Sequence, residues 1–292
     1  MAGRLSHLLL GIILLLSLGL SGCSSLFFYP DSRHYLSPPD LGLRYQDVPL
    51  ETSDGTHLNA WWLPADGNSL GTIYYLHGNA QNMGAFLINI GWLPKAHYNV
   101  FMIDYRGFGK SSGSPDLEGA LNDAETGLRW VYQHHSQQPV FLLGQSLGAA
   151  LTLDLAGHWR QFGDRPAGVI ADGAFTGFRR IAREKLDQFW LTWPLQYPLA
   201  WTIPDGHEPI DNVGHISPVP LMLISSHHDH IVPFHHGAQL FQAAGEPKRF
   251  LATETPHTAT FLVPRYRREV LSFLAEYGRS PLTGEPALSD TH

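Results

Sequence analysis

Hydrophobic positions along the chain fall into two repeating patterns. Short runs rich in Val, Ile, Leu, Phe and Tyr read as strands, and longer segments with apolar residues every three or four positions read as helices. Two early runs, Tyr45–Glu51 and His57–Leu63, flank Ser53-Asp54-Gly55 and predict a hairpin. Strands are next expected within Gly71–Ala80 and Asn99–Gly109, each ending in a turn, in the apolar run from Val140 that meets Gly144, and from Gly168 to Asp172. The last two are expected at Pro218–Ser225 and Arg249–Ala252. Helices are expected over Met83–Trp92, Leu117–Tyr132 and Phe261–Tyr277. In the second of these, Ala120, Leu121, Ala124, Leu128 and Val131 share one face. This alternation predicts an α/β chain with a mostly parallel central sheet and helices on both faces. In such sheets, sites form outside the carboxyl ends of the strands. His77, Asp104, Ser146, Asp172 and the segment from Ser225 lie there.

The amino terminus breaks this pattern. Arg4 precedes Leu8–Leu20, which is apolar apart from Gly and Ser and is shorter than a membrane span. It ends in Leu20-Ser21-Gly22-Cys23, which resembles the lipobox of bacterial lipoproteins. That resemblance implies a signal peptide over 1–22 and lipidation of Cys23. Ser24, rather than an acidic residue, then points to the outer membrane, facing the periplasm. The alternative is an uncleaved signal anchor. Residues 23–41 contain Pro30, Pro38 and Pro39 and are expected to form an extended membrane-proximal linker. One domain follows over 42–278, with a polar tail over 279–292.

Charge narrows the partners. The chain has a formal net charge of −7 and no Lys/Arg block, which argues against nucleic acid. Cys23 is the only cysteine, so a disulfide within the chain and a thiol nucleophile in the domain are both excluded.

The candidate chemistry begins at Gly144-Gln145-Ser146-Leu147-Gly148. A Gly-x-Ser-x-Gly between a strand and a helix is the setting of a nucleophile elbow. The two glycines give clearance, and Ser146 stands at the sheet edge. A serine hydroxyl needs a base, and the base needs a carboxylate. Two acids are candidates: Asp229, in a loop after a strand, and Asp172, at the end of the preceding strand. His257, between the last strand and the last helix, is the best base. His228, His230, His235 and His236 compete but sit beside the acid rather than after it. The backbone amides of Leu147 and Asn79 are the expected oxyanion donors. Arg106 and Lys110 lie in a Gly-rich turn that matches no phosphate-binding fingerprint. His227, His228, Asp229 and His230 are adjacent in sequence and do not converge as metal ligands, so neither metal nor cofactor is expected.

Leu76-His77-Gly78-Asn79-Ala80, Asp104-Tyr105-Arg106-Gly107-Phe108-Gly109, Gly144-Gln145-Ser146-Leu147-Gly148, Asp229-His230-Ile231-Val232-Pro233 and His257 together resemble the α/β-hydrolase superfamily. The nearest likeness is to its Bem46-like and serine aminopeptidase-like members. The resemblance covers residues 45–277 and implies Ser146, Asp229 and His257 as a triad. Two positions depart from the pattern: Ser226-His227-His228 stands where relatives begin the acid motif with Gly, and Pro256 stands where they often have Gly. Residues 175–217 interrupt the strand–helix alternation. They are dense in aromatics, including Phe189, Trp190, Trp193 and Trp201, and are expected to form a cap-like insertion or to pack on the sheet. The expected activity is hydrolysis of a small acyl ester or thioester. A peptidase of the same fold and a non-catalytic lipid- or protein-binding lipoprotein are the alternatives.

Overall fold

The computed structural model describes residues 28–187 and 206–278. The expected signal peptide, Cys23, the aromatic part of the 175–217 insertion and the polar tail fall outside these residues. In chain order the elements are β1 (Gln46–Glu51), β2 (His57–Leu63), β3 (Thr72–Leu76), α1 (Met83–Ile90), β4 (Asn99–Ile103) and α2 (Leu117–His135). They continue with β5 (Val140–Gln145), α3 (Leu147–Gly157), β6 (Gly168–Asp172), α4 (Phe178–Asp187) and α5 (Pro209–Asn212). The last are β7 (Leu221–Ser226), α6 (Phe234–Ala243), β8 (Lys248–Thr253) and α7 (Pro264–Gly278).

The strands form one eight-stranded mixed sheet in the order β1-β2-β4-β3-β5-β6-β7-β8. β2 runs antiparallel to β1 and β4, and the remaining pairs are parallel. This is the α/β-hydrolase fold. β3 to β7 carry no polar-out alternation because both faces are covered. Neighbouring residues instead face different cores. Tyr74 and Leu76 join the core containing Ala120, Ala124, Leu128 and Leu151. Ile73 and Tyr75 join the core of Leu87, Ile90, Val270 and Phe273. The expected stripe of α2 is buried along its length.

Three differences from expectation have physical causes. The closing helix starts at Pro264 rather than Phe261. Residues Thr260–Leu262 form a 3-10 turn, and proline suits a first helical position, where no amide donor is needed. α1 stops at Ile90, where Gly91 caps it. Residues 28–41 are not a free linker. Phe28 is buried against Phe108, and Asn82 Nδ2 donates to the carbonyls of Asp31 (2.9 Å) and Arg33 (2.8 Å). Pro30 bridges to Gln81, so this segment is bound to the loop that follows β3.

Of the 175–217 insertion, its two flanks are described. Phe175 is buried beside Ala150 and Val232, and α4 follows with a single buried residue, Ala182.

Candidate active site

β5 delivers Ser146 into a turn where its backbone takes φ 55°, ψ −119°. An L-residue rarely occupies this region, and holding one there costs about 1–3 kcal/mol. The surroundings enforce it. The Ser146 amide donates to the Asp172 carbonyl (2.9 Å), and the Ser146 carbonyl accepts from Ala149 (2.9 Å) and Ala150 (3.1 Å) as α3 begins. A Cβ on Gly144 would overlap the Gly148 carbonyl, and one on Gly148 would overlap the carbonyls of Leu76 and His77. Glycine at both positions lets α3 start directly against the end of β3.

The structure brings the three expected side chains together from three carboxyl ends. His257 Nε2 lies 2.8 Å from Ser146 Oγ, and His257 Nδ1 lies 2.6 Å from Asp229 Oδ2. An ionised carboxylate only accepts, so Nδ1–H donates to Asp229 and Nε2 accepts from the serine hydroxyl. Asp229 is 8% exposed. Its Oδ1 accepts from the amides of Ile231 and Val232, both at 2.8 Å. Burial pushes this carboxyl up, but the His257 hydrogen bond and charge and the two amides outweigh it and hold it below the ordinary range. A hydroxyl, imidazole and carboxylate joined in this order can deprotonate the hydroxyl as it attacks an electrophile.

Asp172, the other candidate acid, has a different set of partners. Its Oδ2 accepts from Gln145 Nε2 (2.8 Å) and its Oδ1 from Thr260 Oγ1 (3.0 Å). Gln145 Oε1 accepts in turn from Tyr75 OH (2.7 Å) and Asn89 Nδ2 (3.0 Å). Asn89 Nδ2 and Gln145 Nε2 both reach the Thr258 carbonyl, at 3.2 and 3.1 Å. Asp172 thus fixes the strand bearing Ser146 to the loop bearing His257. Burial raises its carboxyl to about 6, against the pull of Gln145 and Thr260. Gly173, at φ 67°, passes directly under the imidazole, where an added Cβ would lie 3.3 Å from His257 Cε1. Sequence reasoning missed Asn89, Gln145, Thr260 and Gly173 as supports, because no local pattern marks them.

The loop after β3 faces the serine from the other side. A Cβ on Gly78 would come 3.3 Å from Ser146 Cβ and 3.0 Å from the Phe86 ring. Ala80 and Gln81 are left-handed, and Asn79 Oδ1 accepts from the amides of Ala80 (2.9 Å) and Tyr29 (3.0 Å). Leu147 is the first residue of α3. Asp104 braces this loop through the Met83 amide (2.7 Å). Burial pushes the Asp104 carboxyl up to about 7 and His77 down to about 4. His77 Nδ1 donates to the Gly78 carbonyl (2.8 Å). Its 3.6 Å approach to Asp104 is therefore a contact of a neutral imidazole rather than an ion pair.

The other candidates have structural partners. Arg106 bonds Asp123 (2.8 Å) and Asp54 (2.9 Å), tying the turn after β4 to α2 and the hairpin. His228 is largely exposed and His227 stacks on Phe234. Glu184, His235 and His236 bring possible ligand atoms within 4.8 Å of one another. The donor set fits a metal poorly. His236 Nδ1 accepts from the Thr176 amide (3.1 Å), so its proton sits on Nε2, the atom that meets Glu184 at 3.0 Å.

Comparison with known proteins agrees with the fold. Residues 67–207 match the family model described as "Serine aminopeptidase, S33". The protein YfhR of Escherichia coli is 33% identical over 259 residues, covering 85% of this chain and 86% of its own. The bem46 protein of Schizosaccharomyces pombe is 28% identical over 252 residues, covering 82% and 80%. A lysophosphatidylserine lipase of Danio rerio is 30% identical over 199 residues, covering 64% of this chain and 51% of its own. Among solved structures, an esterase of Pyrococcus furiosus superposes with a TM-score of 0.70 at 22% identity, covering 86% of this chain and 98% of its own. The chain belongs to the α/β-hydrolase superfamily, in the S33-like, Bem46-related family of serine hydrolases and esterases.

Proposed function

We propose that this chain hydrolyses ester or thioester bonds through an acyl-enzyme on Ser146 and works anchored to a bacterial membrane through Cys23. The observation that carries the catalytic part is the unbroken hydrogen-bond chain from Ser146 through His257 to Asp229. Ser146 Oγ attacks the acyl carbonyl while His257 Nε2 takes its proton. Asp229 orients the ring and balances its positive charge. The amides of Leu147 and Asn79 hold the oxyanion. His257 returns the proton to the leaving alcohol or thiol, and water then repeats the sequence to release the acid. No step needs a cofactor.

The anchoring part rests on sequence alone: the apolar Leu8–Leu20, the Leu20-Ser21-Gly22-Cys23 ending, and Ser24 after it. Among the described residues no helix is long and apolar enough to cross a membrane. The envelope of a bacterial cell, outer membrane and periplasmic side, is the location these residues support. A peptidase is the second reading, favoured by the description of the matching family model. The experiment offers p-nitrophenyl esters of graded chain length beside an amino-acid p-nitroanilide, with Ser146→Ala as control. Ser146-dependent ester turnover supports the proposal. Turnover of the anilide alone replaces it with the peptidase reading.

A further inference from the structure

Among the described residues, six large apolar side chains stand out into solvent: Tyr29, Tyr45, Leu70, Ile88, Ile231 and Leu262. Four of them gather at one edge of the sheet. Ile88 lies on α1, which follows β3, and its neighbour Asn89 touches the loop bearing His257. Leu262 lies in the turn after His257, and Ile231 follows Asp229 by two residues. Tyr29 is fixed to Asn79 and Gln81, beside Ser146. Their exposures are 51%, 46%, 52% and 66% respectively. They belong to segments that follow the carboxyl ends of β3, β7 and β8, the strand ends from which the site is built, or in the case of Tyr29 are bound to one of them. Leu70, 54% exposed, precedes β3 and lies at the opposite edge.

The chain leaves the described structure at this same edge. Phe28 packs against Phe108, and Pro30 pairs with Gln81 of the loop facing Ser146. Phe28 is the fifth residue after Cys23, a reach of at most about 18 Å even when fully extended. A membrane anchor at Cys23, or in the apolar segment before it, would therefore hold the bilayer near the edge that carries Ser146. α7 opens at this edge with the exposed Arg265 and Arg268 and no acid in its first turn. That placement opposes the helix dipole and suits anionic headgroups.

We propose that the apolar rim of Tyr29, Ile88, Ile231 and Leu262 docks on the lipid surface, so that the candidate active site opens onto the membrane and draws acyl substrates from it. This rests on the anchoring reading above. The occupant is lipid, because Phe28, within about 18 Å of the attachment point along the chain, and the rim share one edge.

The test uses the full-length protein in vesicles of phosphatidylethanolamine and phosphatidylglycerol. Single cysteines, Ile88→Cys, Leu262→Cys and Leu70→Cys, carry an environment-sensitive fluorophore, with the parent chain as labelling blank. The expected result is blue-shifted emission and quenching by nitroxide lipids at 88 and 262, with water-like emission at 70. Floating protein whose three probes behave alike would overturn the proposal and leave anchoring intact. Protein that does not float with the vesicles would overturn anchoring and this proposal together. A blue shift at 88 and 262 without vesicles would overturn it in favour of contact between protein molecules. As a second readout, the double variant Ile88→Ser, Leu262→Ser should lose vesicle-embedded acyl-ester turnover several-fold and keep turnover of a soluble ester. Equal losses on both substrates would contradict the proposal.

Discussion

Ser146 is held in a backbone conformation that suits glycine better than serine. Ser146→Gly is accordingly expected to raise the thermal unfolding midpoint while abolishing turnover, the mark of a residue retained against stability. A lowered midpoint would show that the turn is not strained. The two carboxylates near His257 separate in the same way. Asp229→Asn should lower kcat by about 10⁴ by losing the tautomer that presents Nε2 to the serine. Asp172→Ala should instead loosen the His257 loop, so its loss should be smaller and accompanied by a lower unfolding midpoint. Rate and stability measurements on the pair check this, and an intact rate in Asp229→Asn would refute the assignment. The Asp229 carboxyl is held below its ordinary range. The stability that it contributes is therefore full above that range and is lost as the pH falls through the lowered value.

At the scale of elements, the site depends on how closely α3 meets the end of β3. Gly148 faces the Leu76 and His77 carbonyls with no room for a methyl group. Gly148→Ala should destabilise the fold by several kcal/mol, in the range for forced overpacking. Denaturant unfolding would measure this, and a neutral result would mean that the elbow tolerates a shift of α3. Asp104 braces the loop after β3 with its carboxyl raised to about 7. A raised acid binds protons more tightly folded than unfolded, so stability falls as the pH rises from about 4 to 7. Asp104→Asn removes that titration. Its stability relative to the parent should improve across this interval by up to about 4 kcal/mol and level off above it. A difference that does not change with pH would show that Asp104 ionises normally. The motifs of these loops were legible in sequence because each glycine and proline is fixed by local geometry, as at Gly144 and Gly148. The supports were not. Asn89 reaches Thr258 across 169 residues, and Gln145 reaches Asp172 across a strand register. Nothing in their neighbours announces either contact.

At the scale of the molecule, a mostly parallel sheet covered on both faces followed from the apolar runs, since strands buried on both faces leave a continuous signature; the order β1-β2-β4-β3-β5-β6-β7-β8 did not, because pairing is set between distant segments. Residues 28–41 did not follow. Three prolines read as an extended linker, whereas Phe28 and Asn82 bind the segment to the loop beside Ser146. This contact holds Phe28, the fifth residue after Cys23, at the active-site edge, and the membrane proposal takes the domain's orientation from it. The central claim is that Ser146 is a nucleophile activated by His257 and Asp229. The most direct measurement is covalent labelling by a fluorophosphonate probe, read by the mass of the modified peptide, in the parent, Ser146→Ala and His257→Ala proteins. One adduct on Ser146 is expected in the parent, none in Ser146→Ala, and strongly slowed labelling in His257→Ala. Folded parent protein that takes no label, or labels elsewhere at the same rate in all three, would contradict it.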